Sequence, residues 1–161
     1  MANSKKIIND PRRVVDELID GMVEAYHGKI QKLPDVSAIV KTNIPQGKVA
    51  LLIGGGSGHE PLFHGYVGDN LADGAACGHI FTSPSPDVVL AATEAVNRGN
   101  GVLYLYGNYA GDQLNFDMAE EMAIAAGIPV RTVRIGDDIA AAPIERADAR
   151  RGVAGDIFVI K

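Results

Sequence analysis

Apolar positions follow two rhythms along the chain, and the changes between them mark its elements. Val14, Val15, Leu18, Ile19, Met22 and Val23 recur at three- and four-residue intervals, the spacing that lines one face of a helix. Asp10-Pro11 precedes them, a capping carboxylate followed by a proline suited to a first turn, so a helix is predicted from there to about Tyr26. Residues 28–35 read as loop. Residues 36–40 and 49–53 are short apolar runs bounded by Gly, Pro and Asn, the pattern of buried strands.

A glycine loop follows at 54–61, with a short helix expected around 61–65 and a strand at 79–81. Ser85-Pro86-Asp87 is a helix start, carried on by residues 88–98 and stopped by Gly99. Residues 102–106 form an apolar strand. Residues 112–126 read as a helix with Leu114, Met118, Met122 and Ala125 on one side and Gly127 as terminator. Residues 129–135 are rich in β-branched side chains and read as a strand. Residues 137–151 mix helix formers with breakers and receive no assignment, and 156–160 read as a last strand. Strand, loop and helix repeating in this way predict an α/β fold, a mostly parallel sheet with helices on both faces, as one domain over residues 1–161.

Charge and cysteine content narrow the function classes. The net charge of −5 comes without a basic stripe, which argues against nucleic acid as a partner. A single cysteine, Cys77, excludes an internal disulfide framework, so a reducing cytoplasmic location is the simplest reading. The first ten residues lack the apolar core of a signal peptide, and no apolar run reaches the length of a membrane span. No histidine–carboxylate set has metal-ligand spacing, so no metal is expected on this chain alone.

Candidate chemistry sits where loops follow strands, at the carboxyl ends where open α/β sheets bind ligands. Three such loops, 54–61, 82–86 and 107–112, are expected to form one rim. In Gly54-Gly55-Gly56-Ser57-Gly58-His59-Glu60-Pro61, glycines can expose backbone N–H groups to an oxygen-rich ligand, although a tight turn would also use them. Ser57 adds a hydroxyl and His59 a group that titrates near neutrality. The loop lacks the Gly-Lys-Ser/Thr ending of a Walker A motif, the third glycine of a dinucleotide fingerprint and the last glycine of a nucleophile elbow. Asp112 is either a helix N-cap or a pocket carboxylate, and the two roles are compatible. His27 reads as a solvated surface residue, His64 as packed near the short helix, and His79 as a residue that could approach the pocket.

These residues, together with Asp73-Gly74-Ala75-Ala76-Cys77-Gly78, Phe81-Thr82-Ser83-Pro84, the stretch 108–116 and Arg150-Arg151-Gly152-Val153-Ala154-Gly155-Asp156, resemble the K subunit of dihydroxyacetone kinases over almost the whole length. The resemblance implies that family's α/β fold, a homodimer, and a subunit that holds dihydroxyacetone or a related ketose. A separate L subunit or domain would carry ATP or ADP with Mg. It implies that Gly55, Gly56 and His59 hold the ketone end, that Asp112 touches the substrate hydroxyls, and that a further histidine, beyond residue 161, bonds the carbonyl carbon. The chain is therefore expected to be the N-terminal part of a longer subunit. Gly107 and Ala110 stand where many members carry Lys and Thr. Substrate (dihydroxyacetone or erythrulose) and phosphoryl donor (ATP or a phosphotransferase system) stay open, as does a non-catalytic role in sensing a small ketone.

Overall fold

A computed structural model describes residues 7–152 of the chain; the strand expected at 156–160 lies outside the described residues. Asp10 Oδ1 accepts the Arg12 N–H at 2.9 Å, and the single 3-10 turn Pro11–Arg13 leads into α1 (Val14–Ala25). The loop expected at 28–35 contains instead a three-residue strand, β1 (Ile30–Lys32). Only Ile30 of β1 is buried, so nothing local marks it. It forms because β2 (Ala38–Lys41) offers an open edge for antiparallel pairing.

The sheet continues with β3 (Ala50–Ser57), β4 (Gly74–Ile80), β5 (Val102–Gly107) and β6 (Val130–Ile135), in the order β1-β2-β4-β3-β5-β6. β4, β3, β5 and β6 are mutually parallel, and β2 joins β4 antiparallel. α2 (Pro86–Val96) links β4 to β5, and α3 (Ala110–Ala125) links β5 to β6.

The inner strands β2, β3, β4 and β5 are buried on both faces over most of their length, and successive residues feed two cores. Leu52, Tyr104, Val40 and Ala76 pack with Val89, Ala92 and Val96 of α2 and Phe116, Ala119 and Ala123 of α3. Ile53, Leu105, Ile39 and Ala75 pack with Val15 and Ile19 of α1 and with Phe63 and Val67. The expectation of helices on both faces holds.

α3 is turned differently from its apolar pattern. Leu114, Met118 and Met122 are exposed, whereas Asp112, Phe116, Ala119 and Ala123 form the buried row. The small alanines let the helix lie close to the sheet and to α2. Phe116 fills the space between, stacked on Tyr106 at 4.3 Å between centroids and edge-on to Tyr104 at 5.4 Å. Close approach decides the face here, against the bulk of the methionines.

The chain leaves β3 toward β4 on one side, on the α1 face, and leaves β5 through α3 on the opposite face. The carboxyl ends of β3 and β5 therefore splay their connections apart, opening a crevice at this topological switch point.

Candidate functional site

The glycine run is not a loop. Residues 54–57 continue β3, paired with β4 to its end, and of these glycines only the next, Gly58, has a left-handed backbone (φ +101°). The run is glycine because the structure closes around it. A Cβ on Gly55 would lie 2.0 Å from Phe63 Cε2, and one on Gly56 2.6 Å from the Thr82 N. One on Gly78 of β4 would lie 1.9 Å from the Thr82 carbonyl oxygen. The turn after β4 is thereby folded back on the strand ends, with Phe81 N–H donating to the Ser57 carbonyl at 2.8 Å.

This arrangement gives two of the expected contact residues a structural part. Ser57 is fully buried and its hydroxyl donates to the Gly78 carbonyl at 2.7 Å, which knits β3 to β4. Gly55 lies beneath the Phe63 ring, and the cavity wall is made by Gly56 and Phe63.

A cavity of about 600 Å³ opens in the crevice. Its wall takes Gly56 and His59 from the end of β3, Thr82 and Ser83 from the turn after β4, and Tyr109 and Asp112 from the start of α3. The three loops expected to share one rim do so. Leu62, Phe63 and Phe81 make the apolar part, and no Lys or Arg side chain lines it among the described residues.

His59 is exposed and stands edge-on to the Phe81 ring, 4.9 Å between centroids. Asp112 is the third residue of α3; the cap position belongs to Tyr109. Its place in the first turn puts a carboxylate at the positive end of the helix, yet it is only 8% exposed. Its Oδ1 has no hydrogen-bond partner among the described residues. Burial raises its pKa above the ordinary carboxylate value, and a hydrogen bond from Ser83 and the nearby His59 pull it back. Ser83 has a second acceptor, the Pro84 carbonyl at 3.2 Å, but a carboxylate is the stronger claimant on its one proton.

The far wall is held by side chains that follow β5. Asn108 Nδ2 donates to the Asp148 and Arg150 carbonyls at 2.9 and 2.7 Å, and Tyr109 Oη donates to the Gly152 carbonyl at 2.5 Å. These bonds bring Gly152 into the cavity wall. His79 lines a smaller neighbouring cavity of about 240 Å³, His64 is buried and His27 is exposed. Sequence reasoning gave no site role to Phe63, Phe81, Ser83 or Tyr109. Ser83 stands in a loop that was nominated, whereas Phe63 arrives from the long β3–β4 connection with no local signal.

Residues 20–161 match the Dak1 domain family. The dihydroxyacetone-binding subunit DhaK of a phosphotransferase-dependent dihydroxyacetone kinase from Lactococcus lactis is 45% identical over 99% of this chain and 48% of its own. An L-erythrulose kinase from Pectobacterium atrosepticum is 43% identical over 96% of this chain and 26% of its own. The crystal structure of the dihydroxyacetone kinase of C. freundii superimposes with a TM-score of 0.89 at 37% identity, covering 98% of this chain and 29% of that one. The chain spans about half the length of the DhaK subunits it matches.

Proposed function

Because the chain belongs to the Dak1 domain family, we propose that its cavity is the ketose site of a dihydroxyacetone-kinase-type subunit. The observation that carries this reading is the buried Asp112 oxygen without a partner, in a small cavity that exposes one imidazole. A neutral polyhydroxy ketone fits such a wall. Its hydroxyl donates to Asp112, its ketone oxygen accepts from His59, and Gly56 lets the chain of carbons lie against the backbone.

Phosphoryl transfer to a hydroxyl asks the protein for position and for a proton acceptor. Asp112 accepts the proton of the attacking hydroxyl, and its raised pKa brings it closer to that task than an exposed aspartate. A wall to which the described residues bring no Lys or Arg offers little to a nucleoside triphosphate with Mg. The reading therefore assigns the phosphoryl donor, ATP or ADP with Mg or a phosphotransferase relay, to a separate L subunit or domain. The working protein is read as a cytoplasmic homodimer; no helix among the described residues is long and apolar enough to cross a membrane.

The relative named for L-erythrulose keeps a four-carbon ketose open as substrate, and a 600 Å³ cavity has room for either. Calorimetric titration with dihydroxyacetone and with erythrulose tests the reading. Saturable binding of one or both is expected, weakened about tenfold in His59→Ala. Absence of binding to either ketose by the full-length subunit would end it.

A further inference from the structure

Residues 58–64 fold back on themselves, with the Leu62 N–H donating to the His59 carbonyl at 3.1 Å. The fold brings Glu60 and His64 together beneath the exposed His59. One Glu60 oxygen, Oε1, accepts the Gly58 N–H at 2.9 Å and approaches His64 Nε2 at 3.1 Å. The second approach lies off the ring's N–H direction, so it is a close charge–dipole contact, and Nε2 has no other partner among the described residues. On its other side, His64 Nδ1 lies 3.5 Å from the Cys77 sulfur.

The chemistry of the three groups orders their protons. Cys77 is fully enclosed on β4, and burial pushes its thiol up to about 12, so it keeps its proton, which has two acceptors in reach, His64 Nδ1 at 3.5 Å and the Ala75 carbonyl at 3.8 Å. Burial holds His64 toward the neutral form. A neutral imidazole that accepts at Nδ1 carries its own proton on Nε2, the nitrogen 3.1 Å from the Glu60 carboxylate. The result is a row of contacts from the core thiol through His64 and Glu60 to the Gly58 N–H, electrostatic between His64 and Glu60 and hydrogen-bonded at Gly58. Gly58 has the left-handed backbone and directly precedes His59, so it sets the direction in which His59 leaves the strand. None of the three side chains of the relay lines the main cavity.

We propose that Glu60 and His64 are positioning residues for His59, anchoring the Gly58–His59 backbone to the core so that the imidazole stands over Phe81 at the cavity mouth. The proposal rests on the ketose reading for its consequence, but its geometry is testable without a ligand. The His59 ring lies 4.9 Å from Phe81, close enough for a ring-current shift of its own proton resonances.

The experiment is NMR of ¹³C-histidine-labelled protein, with His59 assigned through His59→Gln, beside calorimetry with dihydroxyacetone. Glu60→Ala should move the His59 ring signals toward their solvent-exposed values and weaken dihydroxyacetone about tenfold. Glu60→Gln, whose amide oxygen still accepts the Gly58 N–H, should restore both to within about threefold of wild type. Unchanged His59 signals in Glu60→Ala would overturn the proposal, and so would Glu60→Gln behaving like Glu60→Ala. If Glu60→Ala gave no dispersed spectrum, Glu60→Asp is read in its place. Its shorter side chain cannot span both partners and should shift His59 as well; an unshifted His59 there would equally overturn the proposal. Should the wild-type protein bind no dihydroxyacetone, the ketose reading fails while the His59 signals still decide the positioning claim.

Discussion

Replacing Asp112 by Asn should make the protein more stable and less active at once. At neutral pH the wild-type carboxylate is 8% exposed and leaves one oxygen without a hydrogen bond. A buried polar group in that condition costs about 1–3 kcal/mol. The helix N-terminus returns about 0.3–1 kcal/mol of this to the charged form, which the Ser83 hydroxyl also favours. Burial remains the largest influence on the group, so an uncharged amide of the same shape should gain about 1–2 kcal/mol, or roughly 3–6 °C in Tm for a chain of this size. The sign has a pH signature. The folded pKa lies above the ordinary 3.8, so the protonated acid favours the fold. That stability is full below 3.8 and is lost as pH rises through the folded value. Asn should therefore show little advantage at pH 3.5 and its full advantage at pH 7.5, read by scanning calorimetry at both. Turnover with the L partner should fall by about 10² or more if Asp112 is the proton acceptor. A Tm at pH 7.5 equal to or below wild type would refute the burial argument. A raised Tm with turnover intact would leave that argument standing and remove the catalytic role.

Ser57→Ala should lower stability by about 1 kcal/mol by orphaning the Gly78 carbonyl, while calorimetry with dihydroxyacetone gives unchanged affinity; a large affinity loss would return Ser57 to the site. Gly78→Ala drives a Cβ into the backbone of Thr82 and Pro84, so denaturant unfolding should register about 3 kcal/mol or more, with weaker ketose binding as the rim turn is displaced. Thr93→Val keeps the shape but strips the buried Tyr104 hydroxyl of its partner at 2.6 Å. A loss of about 1–3 kcal/mol is expected, and a neutral result would mean that water replaces the threonine.

The helical spacing in 14–23, the apolar run 102–106 and the β-branched run 129–135 were enough to predict α1, β5 and β6, because each of these elements carries its signal in its own residues. Periodicity failed where a neighbour decides. β1 exists through the open edge of β2. β4 begins at Gly74, five residues before the expected strand, because Ala75, Ala76 and Cys77 are small residues wedged between two helical layers. α3 turns its methionines outward because Ala119 and Ala123 permit the closer contact.

The candidate site divides in the same way. By itself the sequence determined which residue types stand at the strand ends, and so named His59, Gly56 and Asp112 and one shared rim, because chain order in a parallel sheet dictates which loops lie together. Only the tertiary structure decided what each of them does. Whether a glycine donates to a ligand or admits a phenylalanine ring, and whether a serine faces a cavity or a carbonyl, depends on atoms brought in from distant parts of the chain. The Gly54–Gly56 run proved to be strand because Phe63, Thr82 and Phe116 close over it. Asp112 acquired its unpaired, buried oxygen because Phe116, one turn further along α3, pulls the helix onto the sheet and takes the carboxylate out of water.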